Sequence, residues 1–150
     1  MSGLFSALDV SASALNANRR RMELLVTNIA NSQTTRTAEG GPYKRKDVVF
    51  MSTPMQDQFQ DLYLSLIEEE PQLEGVRVSE VVVDQGQPQL RYQPNHPDAD
   101  EKGFVAYPDI NPIQEMANLM GATRSYEANI KAFEAVKQIV QRSIDLGRRG

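Results

Sequence analysis

Apolar residues recur at every seventh position near both ends of this chain, and this spacing limits the possible folds more than any other feature. The first repeat has one column made of Leu8, Leu15, Met22 and Ile29, with Leu25 in the neighbouring column. The other positions are mostly Ser, Asn, Arg and Thr, so only about two positions in seven are apolar. A stripe of this width is typical of a coiled-coil seam and too narrow for a broad globular core.

A second helix with the same spacing is predicted near the C-terminus. Its columns contain the apolar or aromatic residues Met116, Leu119, Tyr126, Ile130, Phe133 and Val140. Asn111 can cap the free amides of this helix, Pro112 suits its first turn, and Gln114 stands three residues after the cap. Because each seam is thin, we expect the two helices to pair with each other and with helices of neighbouring chains.

The segment between the helices has the pattern of short strands and turns. The runs DVVFM and GVRVSEVVVD read as strands, and PQLRYQP could return as the hairpin partner of the second run. GFVAYPDI reads as a last short extended piece before the second helix. The run MQDQFQDLYLSLIEEEP fits either a helical turn or irregular structure, and the pattern does not decide between them.

The predicted fold class is therefore α+β. Residues 1–33 and 111–147 form two long terminal helices that pair as a coiled coil or helical bundle. Residues 34–110 form a small β-rich domain with loops between them.

The composition excludes several kinds of site. The 150 residues include no cysteine, which rules out disulfides, cysteine-ligated metal centres and thiol nucleophiles. The single histidine, His96, stands between Pro94 and Pro97, so we expect it to be a loop residue. The run DADEKG, residues 98–103, begins like a calcium-binding loop, but Lys102 would place a cation among the ligands. We therefore expect no metal, no cofactor and no catalytic site.

The charge is unevenly distributed along the chain. The net charge is −4, with +1 on residues 1–31, −7 on residues 32–111 and +2 on residues 112–150. An acidic middle segment repels phosphate backbones, so we expect no nucleic-acid partner. No run approaches the ~20 apolar residues that a bilayer-spanning helix needs, and the N-terminus lacks the basic start of a secretory signal peptide. Taken alone, these features predict a soluble cytoplasmic protein without direct membrane insertion.

Two asparagines, Asn28 and Asn31, mark the point where the first helix gives way to a polar loop. Residues three apart are neighbours on one helix face. A short amide at a helix end bonds nearby backbone groups, which accounts for Asn31. Asn28 lies one turn inside, beside the apolar seam, where a buried amide needs a partner. In a packed bundle that need can fix the register and the choice of neighbour.

Several stretches of the sequence resemble a known protein family. VTNIANSQTTR, residues 26–36, closely resembles the N-terminal signature shared by the flagellar axial proteins, which include the rod, hook and hook-associated proteins. Within that set, TTRTAEGGPYKRKDVVF, NHPDADEKGFVAYPDINPIQEM and RSYEANIKAFEAVK are similar to a proximal rod protein of the bacterial flagellar basal body. The resemblance covers residues 1–50 and 95–147, and a sibling proximal rod protein is the nearest alternative.

The resemblance implies a location and a set of partners. The two terminal helices would pair into a coiled coil that lines the inner tube of the axial structure, with the middle segment packed outside. The partners would be copies of the chain itself, other flagellar rod proteins and the flagellar type III export apparatus. Export without a cleaved signal peptide to the rod, in the periplasmic space, replaces the cytoplasmic location that composition predicts. The assembly interface would contain Leu8, Leu15, Met22, Leu25, Asn28, Ile29, Asn31, Met116, Leu119, Tyr126, Ile130, Phe133 and Val140.

Two other functions stay open at this point. The first helix could lie on a membrane surface, although its net charge of +1 and its polar flanks predict weak lipid affinity. A hydrolase acting on cell-wall glycan would need two positioned carboxylates. The acidic run Glu68 to Glu70 is more typical of a solvated surface.

The narrow stripes also predict how the free chain behaves. Isolated helices are only marginally stable, and a thin seam leaves little apolar surface to bury within one monomer. We therefore expect the terminal helices to be poorly ordered in the free chain and to fold when it joins an assembly.

Overall fold

The computed structural model describes residues 2–54 and 74–147 of the chain. Its elements, in chain order, are helix α1 (Ser2–Ala30), strands β1 (Lys46–Pro54), β2 (Glu74–Val83), β3 (Gln89–Tyr92) and β4 (Phe104–Tyr107), and helix α2 (Pro112–Gly147). Two long helices bracket short strands in the sequence, which confirms the predicted α+β class. Residues 55–71, for which the sequence allowed either a helical turn or irregular structure, lie outside the described residues.

The chain forms two compact units, and both helices contribute to each. The tail unit contains Met1–Arg19, Phe50–Ser79 and Arg124–Gly150, and the central unit contains Arg20–Val49 and Glu80–Thr123. The predicted division into residues 1–33, 34–110 and 111–147 stays a prediction.

Each unit has contacts of its own between distant parts of the chain. In the tail unit, the backbone N–H of Val76 in β2 donates to Ser13 Oγ in α1 over 3.0 Å, and Ala17 is buried. The core of the central unit consists of buried side chains from both helices, from β4 and from the segment before α2, namely Leu24, Leu25, Val105, Tyr107, Ile110 and Ala122.

Helix α1 ends at Ala30, where its last carbonyls are bonded by the residues that follow. The backbone N–H of Asn31 donates to the Thr27 carbonyl at 3.0 Å, and its side-chain Nδ2 donates to the same oxygen at 2.9 Å. Thr34 Oγ1 donates to Asn31 Oδ1 at 3.2 Å. Asn31 thus closes the helix C-terminus, as its position in the sequence predicts.

Helix α2 begins as predicted at a capped N-terminus. Asn111 Oδ1 accepts from the backbone N–H of Ile113 at 3.0 Å and, more weakly, from that of Gln114 at 3.4 Å. Pro112 occupies the first helical position, where the missing N–H costs nothing. In the described part of the chain, neither helix is both long enough and apolar enough to cross a membrane.

The strands form two separate two-stranded sheets, one of β1 and β2 and one of β3 and β4. The predicted hairpin between β2 and β3 is therefore wrong. Just before β1, the Arg45 carbonyl accepts from the Asp84 N–H just after β2 at 2.8 Å, so these two strands run antiparallel. Strand β2 pairs with the strand before it in the described chain, and β3 pairs with the strand after it.

Strands β3 and β4 are antiparallel, with Leu90 opposite Ala106 and Tyr92 opposite Phe104. Val105 and Tyr107 point from β4 into the core of the central unit. Successive residues of a strand alternate between its faces, so Leu90, Tyr92, Phe104 and Ala106 lie on the other side of this two-stranded sheet.

Gly103 ends the turn between β3 and β4 with a φ of 81°. This left-handed conformation favours glycine. A Cβ at Gly103 would also lie only 2.9 Å from Cε2 of Tyr92. The ring of Tyr92 instead packs edge-on against Phe104 at a centroid distance of 5.4 Å.

Candidate functional site

The side-chain amide of Asn28 lies at the centre of a polar cluster whose inner members, Asn28 and Glu115, are buried. Asn28 has 0% exposure. Its Oδ1 accepts from the Lys46 N–H at 3.0 Å, and its Nδ2 donates to the Lys46 carbonyl at 2.7 Å. The side chain thus bonds both backbone groups at the start of β1, as a neighbouring strand would. The amide that the sequence expected to need a partner finds one within its own chain.

A buried carboxylate joins this cluster from the first turn of α2. Glu115 is 3% exposed, and its Oε2 accepts from Asn28 Nδ2 at 3.1 Å. Its Oε1 accepts from Arg45 Nε at 2.9 Å. A carboxylate at this depth is tolerated because it has both a cationic partner and a second donor.

The guanidinium of Arg45 is shared between two carboxylates. Besides Glu115, it contacts Asp47 Oδ2 through NH2 at 3.1 Å. Burial alone would lower the pKa of Arg45, but the hydrogen bond and charge of Glu115, with those of Asp47, raise its pKa above the ordinary value. Arg45 therefore stays charged and neutralises the buried acid.

Tyr43 completes the hydrogen bonding of the amide. Its hydroxyl donates to Asn28 Oδ1 at 3.1 Å, so both oxygen lone pairs and both N–H groups of Asn28 are used. Burial raises the pKa of Tyr43 above its ordinary value, and the negative charge of Glu115 raises it further. The hydroxyl thus remains a donor at neutral pH.

The cluster fixes the arrangement of three segments of the central unit. It ties the last turns of α1 to the chain before β1 and to the first turn of α2. A second contact between the helices joins Thr123 Oγ1 and Met22 Sδ at 3.7 Å. Since Asn28 meets Glu115 while the earlier Met22 meets the later Thr123, α1 and α2 run antiparallel here. The expected pairing of the terminal helices with each other is observed in this unit.

The residues predicted for the assembly interface differ in their burial. Leu25 and Asn28 are buried within the central unit, and Met116 is exposed. The rest are half-buried: Leu8, Leu15, Met22, Ile29, Asn31, Leu119, Tyr126, Ile130, Phe133 and Val140. A role of these residues in contacts between chains stays a prediction.

Among the described residues, those considered for a metal or catalytic site serve turns and one contact between loops, and Glu68 to Glu70 lie outside the described residues. Asp100 Oδ1 accepts from the backbone N–H groups of Lys102 and Phe104 at 2.9 and 2.8 Å. Asp98 Oδ2 accepts from Thr35 Oγ1 at 2.7 Å, and His96 Nδ1 accepts from the Asp98 N–H at 3.1 Å. Within the described residues, no three acidic or histidine side chains are grouped closely enough to hold a metal ion.

Sequence reasoning missed three members of the cluster, Tyr43, Arg45 and Glu115. One signal was available for Glu115, because it lies four residues before Leu119 and seven before Ala122, on the helix face that α2 buries. An acid on an apolar stripe indicates a buried partner. Tyr43 and Arg45 lie in irregular chain before β1, where no periodic pattern marks a side chain as buried.

Comparison with known proteins agrees with the resemblance seen in the sequence. A family model described as the C-terminal part of flagellar basal body rod FlgEFG proteins matches residues 101–146. The flagellar basal-body rod protein FlgC of Bacillus subtilis is 38% identical over 149 residues, covering 96% of this chain and 98% of the relative. FlgC of Borreliella burgdorferi is 33% identical over 146 residues, covering 95% and 96%. FlgC of Salmonella typhimurium is 32% identical over 145 residues, covering 97% and 98%. With such identity over nearly the whole length of both chains, the chain belongs to the FlgC family of flagellar basal-body rod proteins.

Proposed function

We propose that this chain is a structural subunit of the proximal rod of the bacterial flagellum. It polymerises through its terminal helices with copies of itself and with other rod proteins, and the resulting tube serves as drive shaft and export channel. Its work is done by surfaces between subunits, and it has no catalytic role. Like the FlgC proteins that it resembles, it is a part of the basal body.

The observation that supports this proposal most strongly is the apolar surface that the helices leave exposed. On α2, more than half of each of the side chains Ile113, Met116, Met120, Ile139, Ile144 and Leu146 is accessible to solvent. Solvent-exposed apolar side chains along a helix are a normal feature of surfaces that pack against other subunits. The buried cluster around Asn28 supports the same function, because it holds the two helices in one fixed arrangement.

Export through the flagellar type III apparatus, without a cleaved signal peptide, follows from the same proposal. We expect the parts of the terminal helices outside residues 20–123 to order when the subunit joins the rod, since their seams are thin and isolated helices are marginal. All members of the polar cluster around Asn28 lie within residues 20–123, so we expect order in the free subunit to be concentrated there.

Complementation and fractionation test the proposed function. The tagged chain is expressed in a flagellated bacterium that lacks its own FlgC gene, and basal bodies are purified. We expect swimming to be restored and the tag to be found in the basal-body fraction. Restored swimming with no chain in the purified basal bodies, or stable exclusion of a well-expressed chain from them, would refute a rod role.

Circular dichroism of the purified free chain tests the coupled ordering separately. We expect less helix than the two full helices of the structure would give. A free chain that already shows the full helical signal contradicts the coupling, although it leaves the rod role intact.

A further inference from the structure

The seven-residue spacing of both helices allows more than one way to pair them in the central unit. Asn28 lies seven residues after half-buried Arg21 in α1, and Glu115 lies seven residues before buried Ala122 in α2. A slip of seven residues moves one helix along the other by about 10 Å. It turns the facing columns by only about 20°, so nearly the same sides of both helices still meet. Apolar packing between these columns therefore discriminates weakly between the registers.

The polar groups of the two helices do not repeat in this way. In the observed register, Asn28 Nδ2 donates to Glu115 Oε2 at 3.1 Å. After a slip of seven residues in one direction, Asn28 would face Ala122, and Glu115 would lie beyond the last residue of α1, Ala30. After a slip in the other direction, Glu115 would face Arg21, and Asn28 would face the chain before α2. Either slip separates the buried amide from the buried carboxylate, and a buried polar group that loses its partner costs free energy.

Arg45 adds to this discrimination from outside the helices. Its Nε donates to Glu115 Oε1 at 2.9 Å, and its side chain is 25% exposed. Its backbone carbonyl accepts from the Asp84 N–H at 2.8 Å, which ties Arg45 to the end of β2. This bond holds the guanidinium near one point along α2, so Arg45 cannot follow Glu115 through a displacement of about 10 Å.

A buried ion pair of this kind is better suited to specificity than to stability. Replacing both partners of such a pair by apolar residues of similar volume is often neutral or stabilising, whereas removing only one partner is strongly destabilising. A polar residue at one seam position can instead specify the register of paired helices. Glu115 is such a residue, because it lies in the buried column of α2 that also contains Ala122.

We propose that the contacts of Glu115 with Asn28 and Arg45 select one register of α1 against α2 and exclude the two registers displaced by seven residues. They add no stability that a pair of apolar residues would not supply. This inference concerns the fold of the single subunit, so it goes beyond the proposed rod function and does not depend on it.

Cross-linking within the purified full-length chain measures the register, because the natural chain has no cysteine. Met22→Cys with Thr123→Cys reports the observed register, in which Met22 Sδ and Thr123 Oγ1 lie 3.7 Å apart. Met22→Cys with Met116→Cys reports a slip in one direction, and Ile29→Cys with Thr123→Cys reports a slip in the other. Each dilute chain is treated briefly with a thiol-reactive linker much shorter than the slip of about 10 Å. Internally linked peptides are then quantified by mass spectrometry.

The three cysteine pairs are compared in the natural chain and in a chain without the buried ion pair. In the natural chain, we expect linkage only in the pair that reports the observed register. Arg45→Met with Glu115→Leu replaces the ion pair by apolar side chains of similar size. The yield of at least one slipped pair should then rise several-fold relative to the observed pair, and the urea midpoint should be unchanged or raised.

The matched control makes the same two changes at an ion pair that does not join the helices. Arg20→Met with Glu23→Leu removes a contact of 3.1 Å between two exposed side chains of α1, and linkage should stay confined to the observed register. Glu115→Gln is a second comparison, since the new amide oxygen can still accept from Asn28. Its slipped linkage should be lower than that of the chain with two apolar replacements.

Four results would overturn the proposal. Linkage confined to the observed register in the chain with Arg45→Met and Glu115→Leu would show that other packing sets the register. An equal rise of slipped linkage in the control chain would show that the effect is not particular to this ion pair. Loss of the cooperative urea transition in the chain with two apolar replacements would show that the ion pair supplies stability. Equal slipped linkage in that chain and in Glu115→Gln would show that the hydrogen bond to Asn28 does not select the register.

Discussion

Asn28 hydrogen-bonds the backbone at the start of β1 in the way that a neighbouring strand would. The amide presents an acceptor and a donor to the N–H and C=O of one residue, Lys46. No aliphatic side chain could do this, and a carboxylate could supply only the acceptor. The position therefore requires an amide of this length, and the requirement arises inside the subunit.

Replacing Asn28 by alanine should lower the free energy of unfolding by about 2–4 kcal/mol, because several buried polar groups lose their partners at once. The affected groups belong to Lys46, Tyr43 and Glu115. Urea denaturation followed by circular dichroism measures the change. Asn31→Ala is the matched control, since its amide bonds only Thr27 and Thr34, which are close to it in the chain, and it should cost about 1 kcal/mol or less. Equal losses in the two variants would contradict the central place given to Asn28.

The hydroxyl of Tyr43 should make stability depend on alkaline pH. Its pKa is higher in the folded chain than in the unfolded chain. The neutral form is thus favoured by folding, and this contribution is complete below the ordinary tyrosine pKa of about 10 and is lost as pH rises through the folded value. Tyr43→Phe should show a smaller loss of stability across that range than the natural chain. Parallel pH profiles of the two proteins would show that Tyr43 does not carry this dependence.

Features that depend on adjacent residues, such as helix caps, could be predicted from the sequence, whereas contacts between distant segments could not. The cap at Asn111 and the helix end at Asn31 were predicted, because capping needs only residues adjacent in the chain. The partner of Asn28 could not be predicted, since it lies in an irregular segment whose approach depends on the complete fold. The sequence indicated that Asn28 needs a partner without indicating whether that partner belongs to the same chain.

Among the elements, the strands were placed correctly and one pairing was not. The turn-like DQGQP run between β2 and β3 suggested a hairpin, because a short polar connection with glycine usually joins paired strands. The structure instead pairs β2 with β1 and β3 with β4. Turn composition shows that the chain can reverse, but which strands pair depends on the packing of the complete fold, which turn composition does not encode.

The β3–β4 hairpin should depend on Gly103 more than on other glycines with positive φ. Gly103→Ala forces a strained backbone and a contact of 2.9 Å with Tyr92, whereas Gly41→Ala, at a φ of 75°, has open space around it. The strain alone costs about 1–2 kcal/mol. We expect Gly41→Ala to lose about this much and Gly103→Ala clearly more. Urea midpoints measure both, and a Gly103→Ala variant as stable as Gly41→Ala would show that the ring of Tyr92 moves aside freely.

At the scale of the whole molecule, the sequence predicted two helices and a thin apolar seam on each, but not which residues the subunit itself would bury. Ala17 and Leu24 are buried although they lie outside the predicted α1 columns, whereas Met116 lies in a predicted column and is exposed. Heptad spacing describes the average face of a helix, and the buried residues Leu24 and Asn28 each lie one position before a predicted column residue, Leu25 and Ile29. The exposed remainder of each seam is the surface available to neighbouring subunits.

Phe133, in the half-buried column of α2, tests whether this remaining surface is used in assembly. Phe133→Asp should abolish incorporation into the rod and swimming, because a carboxylate placed in a desolvated seam costs several kcal/mol. Phe133→Leu keeps an apolar side chain and should retain most incorporation, and His96→Ala, in a loop, should have little effect. The measurement is the amount of tagged chain in purified basal bodies, together with the swimming radius in soft agar. Normal amounts of the aspartate variant in the basal bodies of motile cells would show that the α2 seam is not part of the assembly interface. An unpaired carboxylate buried at every subunit contact would prevent assembly.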